Sequence, residues 1–159
     1  MSTDVPLDCV LDASVGIKLF VPEALSANAH VLLARLAADP PARLFVPDLF
    51  YLECANVLWK HTRQFGLTAK RARSFIAQLG LLALRAVPAA ELMLDALGIA
   101  IARGITTYDA AYVALAARLS VPLITADQRL IRVLADGPCR LCWLGDLPAA
   151  AGASAQTGQ

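Results

Sequence analysis

Apolar positions recur along this chain in two ways, and their alternation sets the expected elements. Five short apolar runs without helical spacing read as strands: "CVLDAS" from residue 9, ending at Asp12, then "RLFVP" at 43–47, "LRAV" at 84–87, "PLITA" at 122–126 and "CRLCWL" at 139–144. Between them lie stretches with helical period, expected as helices over 14–20, 24–39, 49–64, 69–82, 89–103, 107–120 and 128–135. Pro22, the "DPP" triplet, Gly66 and Gly104 end four of them. Asp48, Thr68, Thr106 and Asp127 stand where helix starts need a capping oxygen.

Strands alternating with helices predict an α/β fold, a three-layer α/β/α sandwich around a central five-stranded, mostly parallel sheet. Residues 1–147 are expected as a single domain. From Pro148 the chain lacks periodicity and large apolar groups, so 148–159 is expected as a disordered tail.

Composition sharpens this picture. Hydrophobic residues make up 58% of the chain, and the mean hydropathy is +0.58. The most apolar region is interrupted by Arg85, Pro88, Glu91 and Asp95 before it reaches the roughly 20 residues of a membrane span. Strands covered on both faces account for the excess. With acids in "MSTDVPLDC" where a signal peptide would be basic, a cytoplasmic protein without a membrane segment is expected.

A net charge of +1 excludes a uniformly basic nucleic-acid binder but not a local basic face. One exists in "KHTRQFGLTAKRAR", where Lys60, Arg63, Lys70, Arg71 and Arg73, with His61, have no acid between them. Taken alone, it reads as a solvated helix face at least as well as a binding patch. The four cysteines include a C-x-x-C at Cys139 and Cys142, but residues three apart on a strand point to opposite faces and no second pair completes a zinc site. Free thiols, buried or half-buried, are expected.

Four acids remain. Asp12 ends the first strand, Asp127 follows the fourth, and Asp109 stands three residues after Thr106 in a capping-box pattern. Each has a local structural explanation. Glu53 has a weaker one, because its neighbours one turn away, Leu49 and Val57, are apolar and no base lies at helical spacing on the core side. Asn56 offers it one hydrogen bond and no charge. An alternating α/β chain can bring all four to one edge of its sheet, where ligands of such folds bind. Carboxylates so gathered repel unless a hard cation with oxygen ligands sits among them, which points to Mg²⁺ or Mn²⁺ and to phosphodiester chemistry.

The segments "VLDASVGIKLFVPE", "YLECANVLWK" and "TTYDAAYVALAARLSVPLITADQRL" together resemble the PIN-domain ribonucleases, and within them the VapC-type toxins of bacterial toxin–antitoxin pairs. The resemblance implies a PIN-like fold and a Mg²⁺- or Mn²⁺-dependent endoribonuclease, dimeric and inhibited by a co-encoded antitoxin. It makes Asp12 and Asp109 the main metal ligands, completes the acidic quartet with Glu53 and Asp127, and puts Ser14 and Thr125 at small polar positions near the metal. RNA is the expected substrate, with Arg63, Lys70, Arg71 and Arg73 as candidate backbone contacts.

Two other readings stay open at this level. A phosphoacceptor receiver domain also clusters acids around magnesium, but it needs an Asp after the third strand and a Lys after the fifth, and neither is present in "LRAVPAAE" or "CWLGDLP". A non-catalytic RNA- or protein-binding module would use the same acids and basic patch for recognition alone.

Overall fold

The computed structural model describes residues 8–149. The expected tail therefore lies outside the described residues from position 150 onward, as does most of the acidic amino-terminal stretch. Among the described residues, no helix is long and apolar enough to cross a membrane.

The five strands are β1 (Asp8–Leu11), β2 (Arg43–Pro47), β3 (Arg85–Val87), β4 (Leu123–Thr125) and β5 (Leu141–Trp143). They form one sheet in the order β3-β2-β1-β4-β5. Every pairing is parallel, so the sheet is wholly rather than mostly parallel. Central β1 pairs Val10 with Phe45 on one side and with Leu123 on the other. Helices cover both faces there, and Cys9, Val10 and Leu11 are inaccessible to solvent.

The strand order reverses between β1 and β4, and right-handed crossovers then send the connections to opposite faces of the sheet. That reversal opens the crevice where ligands of such sheets bind, beyond the carboxyl ends of β1 and β4. The order also departs from the 2-1-3-4-5 of receiver-type sheets, and β3 runs into Pro88 rather than an acceptor aspartate.

Seven helices join the strands: α1 (Ala13–Gly16), α2 (Ser26–Ala34), α3 (Leu49–Gln64), α4 (Ala69–Gly80), α5 (Ala89–Arg103), α6 (Thr107–Leu119) and α7 (Gln128–Val133). The first two are shorter than their apolar spacing predicts, each tightening into a 3₁₀ turn, at Ile17–Leu19 and Arg35–Ala37. Gly16 shows what the first helix gains from its composition. A Cβ there would stand 2.4 Å from Cζ of Phe50, so only glycine lets α1 approach α3 this closely.

Helix α6 is buried continuously from Ala110 to Ala116. Its alanines let it lie across β1, β2 and β4 while α5 packs on its far side. In turn α5 directs Leu92, Ala96 and Ala100 inward, and leaves Met93, Leu94, Leu97 and Ile101 exposed. Thr68 and Thr106 cap α4 and α6 as expected, accepting from the amides of Arg71 and Asp109. Asp48 does not cap α3. It occupies the cap position, but its Oδ1 accepts from the amide of Ala89, 2.9 Å away, and so opens α5 instead. A loop that ends one strand has been used to start a helix after the neighbouring strand.

Candidate active site

Asp12 leaves the carboxyl end of β1, its amide donating to the carbonyl of Ile124 on β4 at 3.1 Å. Its carboxylate does not cap α1. Both side-chain hydrogen bonds fall on Oδ2, from Ser14 Oγ at 2.5 Å and from Thr125 Oγ1 at 2.8 Å. Each hydroxyl also accepts a backbone amide from the turn after β4: Ala126 N–H donates to Ser14 Oγ at 3.0 Å and Asp127 N–H to Thr125 Oγ1 at 3.0 Å. An amide can only donate, so each hydroxyl keeps its single proton for Asp12. Ser14 and Thr125 thus form a polar shelf that aims one carboxylate and ties the β1 and β4 loops together.

Glu53 lies on the first turns of α3, half-buried as the interrupted apolar stripe predicts. Its partner is not Asn56, which faces solvent. Tyr112 of α6 donates its hydroxyl to Glu53 Oε2 in a short hydrogen bond. Sequence reasoning missed this residue; the available signal was a single hydroxyl inside the otherwise apolar stretch "AAYVALA". Burial, then the negative charges of Asp12 and Glu53, hold the Tyr112 hydroxyl far above the usual phenol range, so it is a fixed donor.

Electrostatics links three of the four acids. Burial raises the carboxyl of Asp12, opposed by the Ser14 and Thr125 hydroxyls, and the charge of Asp109 raises it further. Burial also raises Glu53, against the Tyr112 hydrogen bond, with Asp12 and Asp109 adding to the rise. Asp127 stands at the same edge, but its Oδ1 accepts from the amides of Arg129 at 2.7 Å and Leu130 at 3.2 Å and caps α7. Among the described residues, no three His, Cys, Asp or Glu side chains are gathered closely enough to hold a metal ion as they stand.

The remaining candidates lie elsewhere. Arg63, Lys70, Arg71 and Arg73 are exposed around the turn joining α3 to α4. At 1.5 Å per residue, Arg63 sits about 15 Å along α3 from Glu53. Two of these cations rest on aromatic rings, Arg63 over Trp59 and Arg71 over Phe75. All four cysteines are free. Burial pushes the Cys9 and Cys54 thiols up to about 12 and that of Cys139 up to about 11, leaving protonated thiols rather than soft metal ligands.

Known proteins resemble this arrangement. The PIN domain family model matches residues 9–135. The chain is 38% identical over 123 residues to Ribonuclease VapC3 of Pyrobaculum aerophilum, covering 76% of this chain and 90% of that protein. Its fold is similar to the crystal structure of PAE2754 from Pyrobaculum aerophilum, with a TM-score of 0.62 and 23% identity over 87% of this chain and 84% of that one. It is also similar to VapBC2 from Rickettsia felis bound to a DNA fragment from its promoter, with a TM-score of 0.61 and 13% identity over 86% of this chain and 98% of that one.

Proposed function

The chain belongs to the PIN-domain family, and from that premise we propose that it is a metal-dependent endoribonuclease, the toxin of a toxin–antitoxin pair. The carrying observation is that Asp12, Glu53 and Asp109 share one electrostatic field at the β1–β4 crevice, where burial already opposes the ionisation of two of them. Such a group is relieved by a hard cation with oxygen ligands. The donors fit one: carboxylates flanked by hydroxyls, with the nearby Cys54 thiol held protonated, suit Mg²⁺ or Mn²⁺ better than zinc.

Asp12 and Asp109 are the residues to hold the ion, with Glu53 and Asp127 beside them. Bound there, it supplies a water of lowered pKa and positive charge for the phosphoryl oxygens. Ser14 and Thr125 keep Asp12 oriented. Glu53, with Oε2 engaged by Tyr112, has Oε1 to take a proton from the attacking water; a positioned base of this kind contributes about 10²- to 10⁴-fold. Arg63, Lys70, Arg71 and Arg73 contact the RNA backbone along the α3–α4 hairpin, which makes binding weaken as salt rises.

Two protein partners complete the reading. A co-encoded antitoxin restrains the enzyme, and a second copy of the chain covers the exposed apolar stripe of Leu94, Leu97 and Ile101 on α5. These residues, spaced three and four apart, form one helix face beside a groove of about 490 Å³ that reaches Tyr108.

Cleavage of a panel of structured RNAs by the purified protein tests the activity, with Mg²⁺ or Mn²⁺, with chelator, and with Asp12→Ala and Asp109→Ala. Chelation should abolish cleavage, and each substitution should reduce it by about 100-fold or more, since even residues behind the ligands contribute 10- to 100-fold. Equal cleavage by the variants would overturn the proposal. Intact RNA under every condition, with antitoxin binding retained, would leave a recognition module.

A further inference from the structure

Helix α6 carries Asp109 and, three residues later on the neighbouring helical position, Tyr112. Tyr112 is 1% exposed, and its ring belongs to the main buried core. A phenylalanine would fill that volume equally and leave no polar atom to satisfy. The hydroxyl reaches Glu53 Oε2, 59 positions away in the chain. Among the described residues, no Lys or Arg forms an ion pair with Glu53. A glutamate side chain has three rotatable bonds, so without a donor its carboxylate would sample several directions at the half-buried start of α3.

We infer that Tyr112 is a positioning residue for Glu53: its hydroxyl holds Oε2 and thereby fixes Oε1 toward the carboxylates of Asp12 and Asp109. One helix then supplies Asp109 directly and sets the orientation of Glu53 from the same rigid turn. Movement of α6 relative to the sheet would displace both together. The inference rests on the metal-dependent nuclease reading above and adds to it a residue outside the acidic quartet and its two hydroxyls.

The test uses the full-length protein, with MnCl₂ as the probe and isothermal titration calorimetry as the readout, beside cleavage kinetics and thermal melting. Tyr112→Phe should weaken Mn²⁺ binding by about 10-fold or more, the range seen when a group orienting a metal ligand is removed. It should lower kcat while leaving KM for RNA within about twofold, because the loss falls on reactive geometry rather than on substrate contacts. A double-mutant cycle with Glu53→Gln separates orientation from general core packing. If Tyr112 acts through Glu53, the double variant should bind Mn²⁺ no worse than Glu53→Gln alone.

Additive losses, or wild-type Mn²⁺ affinity in Tyr112→Phe, would overturn the inference while leaving the nuclease intact. A wild-type protein that neither binds Mn²⁺ nor cleaves RNA would overturn both together. Should Tyr112→Phe fail to fold, Tyr112→Met, which fills irregular core space without a hydroxyl, carries the same comparison.

Discussion

Asp12 concentrates the tension between folding and chemistry in one side chain. Its carboxyl is raised above the ordinary value of about 3.9 by burial first and by Asp109 as well. The folded chain then binds that proton more tightly than the unfolded chain, so this group's contribution to stability falls as pH rises from about 4 through the raised folded value. Asp12→Asn keeps an oxygen for Ser14 and Thr125 but removes the charge. In the presence of chelator, it should melt above the wild type at neutral pH and lose that advantage near pH 4, with each kcal/mol recovered worth about 2–4 °C in a chain of this size. Mn²⁺ should raise the wild-type melting temperature at neutral pH and leave the variant's unchanged. Circular-dichroism melts across pH, with and without Mn²⁺, check both. Asp12 itself was legible in the sequence as a strand-end acid; the hydroxyls that orient its carboxylate were paired with it only once Thr125, 113 positions away, came within 2.8 Å.

At the scale of elements, the site is an arrangement of helix starts. Asp12, Glu53, Asp109 and Asp127 all lie at or near the amino ends of helices, three of which follow strands while α6 follows α5, and there a capping role and a chemical role compete for the same oxygens. Thr106 resolves this for α6 by taking the cap, which frees the carboxylate of Asp109. Asp127 does not have that relief, because its Oδ1 caps α7. Substitution separates its two roles: Asp127→Asn preserves a good cap, whereas Asp127→Ala costs about 1 kcal/mol of stability. If Asp127 also serves the site, both variants should cleave RNA more slowly, but only the alanine should melt earlier, by about 2–4 °C. Wild-type cleavage by Asp127→Asn would reduce it to a cap. Asp48 shows how far such choices escape local pattern, since its oxygen caps a helix that begins 41 positions later.

At the scale of the molecule, the parallel sheet leaves α5 with apolar residues on two sides. The inward side of α5 packs on α6, while Leu94 and Ile101 remain 81% and 76% exposed. Exposed apolar helix faces of this kind are common at association surfaces, and the homodimer proposed above would use this one. Leu94→Glu should convert the expected homodimer to a monomer in light scattering after size exclusion, with the circular-dichroism spectrum unchanged. Dimers of wild-type stability in the variant would move the interface elsewhere.

What the sequence by itself determined is whatever periodicity and short-range hydrogen bonding control. It carried the alternation of five strands with seven helices, the caps at Thr68, Thr106 and Asp127, the glycine stops, and the four acids as candidates. Only the tertiary structure decided which of those acids share a field, because that depends on the β3-β2-β1-β4-β5 order and on residues remote in the chain. Gly16 against Phe50, Tyr112 on Glu53, and Asp48 at the start of α5 are pairings between elements. A 3.6-residue repeat reports that a helix has apolar faces, but α5 has two, and packing alone selects which one the core covers.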